Sequence, residues 1–253
     1  MAGISLIPVH GLPLVSAGDD LAVLIAAALE RMGTQPVEGD IVVVAQKIVS
    51  KSEGRTVHLA TVSPSPRAME IAATTGKDAR LVELILSESR ETIRIAPNIL
   101  IVEHRLGFVM ANAGIDQSNV AAAGDEIALL LPVAPDDSAV RLKEALEKIF
   151  SVRLGVIVTD SFGRPWRNGV TGVCIGAAGV PTLLDRRGTP DLFGRPLRVT
   201  EIAQGDEIAA AASLLMGQAD EGIPVVILRG LDISGPESPA RALLRSRAMD
   251  LFR

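Results

Sequence analysis

Aromatic residues make up only 2% of this 253-residue chain, and tyrosine is absent. Stacking platforms of the kind that hold single-stranded nucleic acid are therefore scarce, and a core must be built from Ala, Val, Ile and Leu, the bulk of the 48% hydrophobic content. Basic residues are not in excess. Lys and Arg number 25 against 30 Asp and Glu, a formal charge of −5, which leaves no electrostatic footprint for a nucleic-acid backbone. A nucleotide bound here is expected to be a small molecule. Cysteine is reduced to Cys174, which cannot form an intrachain disulfide, fits a reducing compartment and reads as a buried apolar residue. His10, His58 and His104 are scattered without ligand spacing, which counts against zinc. No apolar run approaches the roughly 18 residues of a membrane span, and the start "MAGISLIPVHGLPLV" has no basic region ahead of its apolar stretch. The expectation is a cytoplasmic protein with neither a membrane nor a nucleic acid as partner.

Familiar nucleotide and hydrolase signatures are missing as well. There is no GxxxxGK[ST], no GxSxG, and the glycines of "GVCIGAAG" have the wrong spacing for a dinucleotide fingerprint.

What is present is a mixture of helical and strand patterns. "GDDLAVLIAAALERMG" predicts a helix capped by Asp19 or Asp20 and closed by Gly33. "DIVVVAQKIVSK" predicts a strand, Ser65 to Thr75 and Asp78 to Glu91 two helices, and "NILIVE" a buried strand. "DDSAVRLKEALEKIF" predicts a surface helix capped by Asp137 or Ser138, and "LGVIVTD" a strand ending in a carboxylate. A helix over "GDEIAAAASLLMGQADEG", a strand over "IPVVILRG" and a helix over "SPARALLRSRAMDLF", with Ser238 as cap and Pro239 at its first position, complete the series. Without a regular βαβ repeat, the class is α+β, or α/β of irregular order. At 253 residues the chain is one large or two modest domains, since domains commonly hold roughly 100–200 residues. "RRGTPDLFGRP" (186–196) reads as a long loop: a plain surface connection, a lid or an interdomain connection.

Polarity is concentrated in five clusters at the ends of apolar runs: "HGLP" (10–13), "AQKIVSKSEGR" (45–55), "AGIDQSN" (113–119), "VTDSFGRPWRNG" (158–169) and "MGQADEG" (216–222). Taken singly, each is explained by a turn. Their chemistry is nonetheless complementary. Asp116, Asp160, Ser161 and Gln218 are hard oxygen donors of the kind Mg²⁺ or Mn²⁺ prefers. Lys47, Lys51, Arg55, Arg164 and Arg167 are cations for phosphate or carboxylate groups, and Gly11, Gly54 and Gly114 allow close backbone approach to phosphate oxygens.

In this order, the stretches "IPVHGLPLV", "IVSKSEGR", "GFVMANAGIDQSN", "VIVTDSFGRPWRNGVTGVCIGAAG", "GQADEGIPVVILRG" and "DLFR" resemble the coenzyme F420-0:L-glutamate ligase family over nearly the whole chain. The resemblance implies a GTP-dependent ligase that joins L-glutamate to F420-0, extends the γ-linked tail, and releases GDP and phosphate. It also implies Mg²⁺ or Mn²⁺, K⁺, the family's own α+β fold and an intertwined homodimer. Residues 1–253 would form one ligase unit, at most split into two subdomains, of the stand-alone archaeal type without a nitroreductase-like domain.

Carried over residue by residue, the metal ligands fall on Asp116, Asp160, Ser161 and Gln218. The GTP contacts fall on Gly11, Leu12, Pro13, Leu14, Gln46, Lys51 and Asn119, and on Met216, Gly217, Gln218, Ala219, Asp220, Glu221, Gly222 and Ile223. Arg164, Arg167 and Asn168 are candidates for the substrate's carboxylate or phosphate. Gln46 stands where some members carry Ser, and Leu106 and Met110 stand where many carry His and Cys, departures that bear on contact geometry and substrate preference. Two rival readings are a ligase with a different phosphorylated acceptor and a non-catalytic GTP-binding protein.

Overall fold

The computed structural model describes residues 3–120 and 126–250. In chain order the elements are β1 (Ser5–Pro8), α1 (Leu21–Arg31), β2 (Ile41–Ala45), α2 (Gln46–Ser52), β3 (Thr56–His58), α3 (Pro66–Thr75), α4 (Ala79–Ser87), β4 (Ser89–Ala96), β5 (Ile99–His104), β6 (Val109–Ala111) and β7 (Ile127–Leu129). They continue with α5 (Pro135–Phe150), β8 (Gly155–Arg164), β9 (Arg167–Ala178), β10 (Leu184–Asp185), β11 (Glu201–Ile202), α6 (Gln204–Met216) and β12 (Val225–Arg229). The α+β expectation holds, with strands divided among several sheets.

The principal sheet has the order β1-β12-β2-β8-β9, with β2 and β8 parallel and the other pairs antiparallel. Its central strand reads as an unbroken apolar run because both faces are covered. Val42 and Val44 face a core shared with Ile25 and Leu29 of α1 and Leu142 and Leu146 of α5. Ile41 and Val43 face the opposite core, with Ile208, Ala209 and Ala212 of α6. The glycines of "TGVCIGAAG" find their use in these layers. A Cβ on Gly172 would stand 2.3 Å from the Ala209 carbonyl oxygen, and one on Gly176 2.3 Å from that of Pro135, so each lets a helix end or side approach β9 closely.

A second core gathers Ile71, Val82, Ile85, Leu100, Val102, Ala113, Ile115 and Leu130 from α3, α4, the β4-β5-β6 sheet and the chain beside β3-β7.

Several boundaries differ from expectation. The strand predicted across residues 40–51 stops at Ala45 and continues directly as α2, where Ile48 and Val49 turn inward while Lys47 and Lys51 remain partly exposed. The β-branched composition had masked the change of period. The helix predicted to reach Glu91 ends at Ser87, and the next residues, "SRETIRIA", form β4. Asp137 and Ser138 are inside α5, which opens at Pro135. The helix predicted across 205–222 ends at Met216, because Gly217 takes a left-handed φ of 68°.

"LGVIVTD" is the start of a longer strand, β8, running to Arg164 and returning as β9. The final predicted helix is replaced by two short 3₁₀ turns, Ala240–Leu243 and Arg247–Met249; Ser238 Oγ accepts from the Thr182 amide at 2.9 Å instead of capping a helix. The end of that prediction, at Leu251 and Phe252, and the "LFR" of the closing motif lie outside the described residues. Residues 186–196 do form an irregular exposed connection, pinched by a bridge between Pro190 and Pro196. Among the described residues no helix is long and apolar enough to cross a membrane.

Candidate active site

"ANAGIDQSN" runs along the seam between the two packed units. Met110 belongs to the principal core, and Ala113 and Ile115 to the second. Asn112, Ala113 and Gly114 take φ of 53°, 52° and 66°, a left-handed turn. Such a conformation suits Asn and Gly and costs an alanine on the order of 1–2 kcal/mol. Gly114 has a further reason to lack a side chain, because its Cβ would stand 2.6 Å from Met110 Cε and 3.0 Å from Leu131. The turn delivers Asp116, whose backbone is then fixed to Leu129 by hydrogen bonds of 3.0 and 2.8 Å.

Asp116 and Asp160 both line a cleft of about 1070 Å³, at the upper end of ligand-site volumes. Its walls are the β1–α1 connection from Leu12 to Ser16, the start of α2, residues 110–120, β8 from Thr159 to Gly163, and the segment from Ser213 to Pro224. Four of the five polar clusters therefore meet, together with Leu12 and Pro13 of "HGLP". Hydrogen bonds tie the walls together. Lys47 Nζ donates to the Ser118 carbonyl at 3.1 Å, Lys51 Nζ to that of Asn119 at 2.8 Å, and Asn119 Nδ2 to that of Ala219 at 2.7 Å. Phe108 meets Phe162 edge-on with ring centroids 5.8 Å apart, joining the residue 110 wall to β8.

The electrostatics are those of a site short of positive charge. Burial raises the Asp116 carboxyl above the ordinary range, opposed by Lys47, whose Nζ is 3.5 Å from Oδ2. Burial, with the neighbouring Asp116 charge, pushes Asp160 up to about 7. Both effects favour the neutral acid, and a bound cation would reverse them. Lys51 is lowered by burial and by Lys47.

Two carboxylates in a cleft lining that also holds Ser161 and Gln218 fit the chemistry of Mg²⁺ or Mn²⁺, which bind through one or two carboxylates plus phosphate oxygens and water. Among the described residues no cluster of three or more His, Cys, Asp and Glu has the arrangement of an all-protein metal cage, so a divalent ion here would depend on ligands brought by a nucleotide.

Leu12, Pro13, Leu14, Gln46, Lys51, Asn119, Asp160, Ser161 and all residues from Met216 to Ile223 are in the lining. Gly11 is just outside it, with its carbonyl accepting from Arg31 at 2.8 Å. Gly54 is past the end of α2 and away from the cleft. Arg55 donates to the Leu131 carbonyl at 2.9 Å and to Glu88 at 3.0 Å, so it is a structural cation. Arg164, Arg167 and Asn168 are exposed at the tip of the β8–β9 hairpin, outside this chain's cleft lining. Met110 is in the cleft wall, whereas Leu106 packs on the principal core. Cys174 is buried, and burial raises its thiol far above the usual range, which removes it as a nucleophile. Sequence reasoning missed Lys47 as a neighbour of the carboxylates and the contribution of Ser213; the signal for Lys47 was its i,i+4 spacing to Lys51.

A polar cleft between two cores, with paired carboxylates, lysines and a small-residue loop, is the arrangement of an enzyme site. The family follows from comparison with known proteins. The F420-0:gamma-glutamyl ligase family model matches residues 11–230. The chain is 50% identical over 253 residues to the coenzyme F420:L-glutamate ligase of Methanothermobacter thermautotrophicus, covering 99% of each chain. It is 47% identical over 261 residues to that of Methanopyrus kandleri, covering all of both chains, and 44% identical to that of Archaeoglobus fulgidus, covering 99% of this chain and 96% of the relative. The chain belongs to the F420-0:gamma-glutamyl ligase family, and it is a ligase.

Proposed function

We propose that this ligase uses GTP to join L-glutamate to the carboxylate of F420-0 and then extends the γ-linked tail, releasing GDP and phosphate at each addition. The single observation that carries the reading is the pair of desolvated carboxylates, Asp116 and Asp160, facing a cleft walled by the family's polar segments. A carboxylate oxygen is a poor leaving group and needs activation. In the proposed route the acceptor carboxylate attacks the γ-phosphorus, the bond to the β–γ bridging oxygen breaks, and GDP departs. The glutamate amine, having lost a proton, then attacks the acyl phosphate and expels inorganic phosphate.

Phosphoryl transfer asks the protein for alignment and charge neutralisation more than for a nucleophile. Asp116, Asp160, Ser161 and Gln218 would hold Mg²⁺ or Mn²⁺. When bound, the ion would draw charge from the phosphate oxygens. Lys47 and Lys51, one helical turn apart on the cleft face of α2, would neutralise further phosphate charge. Residues Gly11 to Leu14, Asn119 and Met216 to Ile223 form the reading's remaining GTP contacts. K⁺ acts as an activator in this reading.

The proposed enzyme works in the cytoplasm as a homodimer. Supporting the dimer, Trp166 and Phe193 are each 88% exposed and Leu192 98%, with Val170 and Leu214 also exposed, an apolar display that a second copy would cover. Arg164, Arg167 and Asn168 remain substrate candidates through the partner's cleft, since they lie beyond the lining of their own. Incubation with F420-0, L-glutamate, GTP and Mg²⁺ or Mn²⁺, followed by mass spectrometry, tests the reading. Products heavier by successive glutamyl units, with matching GDP, are expected; GTP binding without any glutamyl product would overturn it.

A further inference from the structure

Gln46 occupies an unusual place for a residue at the foot of a polar cleft. It is the first residue of α2 and only 1% exposed, so most of its side chain is withheld from any bound nucleotide. Both ends of its amide are engaged. Ser50, one turn along α2 and fully buried, donates its hydroxyl to Gln46 Oε1 at 2.9 Å. Gln46 Nε2 donates to Asp116 Oδ2 at 2.9 Å. The hydroxyl could in principle accept instead of donate. With a cation bound, however, the Asp116 carboxylate is ionised and only accepts, which requires the NH₂ end to face Asp116 and leaves the carbonyl end for Ser50. Oδ2 of Asp116 is approached by Lys47 as well. Among the described residues no hydrogen bond is made to Oδ1, which leaves that oxygen available to the cleft.

We propose that Gln46 is a positioning residue: held by Ser50, its amide locks Asp116 from behind through Oδ2 so that Oδ1 is presented to a divalent cation. This rests on the metal assignment made above and differs from a role for Gln46 in nucleotide contact. A carboxylate fixed at one oxygen loses no rotamer freedom when it binds the ion, and supporting hydrogen bonds of this kind are worth roughly 10–100-fold in metal affinity or activity.

Direct Mn²⁺ binding, followed by the loss of the free-ion electron paramagnetic resonance signal with GTP present, provides the test in wild type, Asp116→Asn, Gln46→Leu and Ser50→Ala. Wild type should bind, Asp116→Asn should bind far more weakly, and Gln46→Leu should lose about tenfold or more in affinity. Ser50→Ala leaves Gln46 in place but frees its amide, so a smaller loss in the same direction is expected even if Gln46→Leu folds poorly. At saturating Mn²⁺ the KM for GTP of the Gln46 variant should match wild type. Wild-type Mn²⁺ affinity in both Gln46→Leu and Ser50→Ala overturns the proposal while sparing the metal assignment. A raised KM for GTP with unchanged Mn²⁺ affinity overturns it in favour of nucleotide contact. Equal binding by wild type and Asp116→Asn overturns the metal assignment and the role of Gln46 together.

Discussion

Glu88, just before β4, and the Asp116–Asp160 pair in the cleft are carboxylates withdrawn from water, and burial alone would raise all of them. Glu88 nevertheless ends below the ordinary glutamate range, because the His104 ring, Arg55 and Arg105 surround it. The guanidinium groups stand 3.0 and 2.9 Å from Oε2, and His104 Nε2 is 3.5 Å away, short of hydrogen-bond geometry. Asp116 and Asp160 face each other with Lys47 as their near cation, and both stay raised. Burial does not separate the two places. Local counter-charge does: one carboxylate is satisfied by the chain itself, and the other two lack a positive charge that a ligand can bring.

The largest break in that comparison comes from neutralising the unsatisfied pair. Asp116→Asn and Asp160→Asn keep the shape of the site but remove its charge. If the pair holds an ion worth several kcal/mol to the transition state, each variant should lose at least about a hundredfold in glutamate-dependent GDP release, at about 1.4 kcal/mol per tenfold. Near-normal metal-dependent turnover in both would remove the assignment.

Glu88→Gln should act on stability and not on turnover per bound substrate. It leaves Arg55, with 20% of its side chain exposed, facing a neutral amide. Breaking a fully buried pair costs about 3–5 kcal/mol, and with Arg105 41% exposed and therefore screened by solvent, about 2 kcal/mol is expected in urea unfolding at pH 7. The pH dependence has a definite sign. A carboxylate lowered in the fold contributes stability that is present above its unfolded value, ordinarily 4.5, and lost as pH falls through the folded value. Wild type and variant should thus differ most near neutrality and converge in acid; a gap that stays constant down to pH 3 would show that the ion pairs are not its source.

Ligand linkage should distinguish the two places more gently. With GTP present and Mn²⁺ about tenfold above its dissociation constant, the fold gains about 1.4 kcal/mol, or roughly 3–5 °C in Tm. Asp116→Asn should lose this gain, whereas Glu88→Gln should melt lower but keep it. Equal Mn²⁺-dependent shifts in wild type and Asp116→Asn would place the ion elsewhere.

The sequence announced the apolar half of this arrangement more clearly than the polar half. Helices α1 and α3 were legible because Asp20 and Ser65 cap them through local hydrogen bonds and their apolar faces repeat regularly. Strand β4 was not, since Arg90, Glu91 and Arg94 mask a pairing with β5 that also contains register shifts. Asp116 and Asp160 stood out as hard donors, and the resemblance gave them a common purpose. The assignment of Gln46 to GTP did not anticipate its burial, because nothing local in "AQKIVSK" reveals that a residue 70 positions away supplies its partner. Arg55 misled for the same reason: a basic residue after "SKSEG" looks ready for phosphate until Glu88 and the Leu131 carbonyl are placed beside it.

That contrast between Arg55 and Lys51 gives the finest test. Both are cations of the same sequence cluster, four positions apart, yet Lys51 lines the cleft and Arg55 does not. Arg55→Lys keeps the charge near Glu88 but cannot reproduce the fork that reaches Glu88 and Leu131 together. Losing one such hydrogen bond should cost about 1 kcal/mol, a fall of roughly 2–4 °C in Tm, with the KM for GTP unchanged. Lys51→Met should do the reverse, raising that KM while leaving Tm close to wild type, because among the described residues its amine is tied only to the Asn119 carbonyl and a substitution at a half-buried position outside the cores stays within about 0.5 kcal/mol. If Arg55→Lys raised the KM and spared Tm, Arg55 would belong with the phosphate-facing cations, and the line drawn between a satisfied and an unsatisfied charge cluster would have to move.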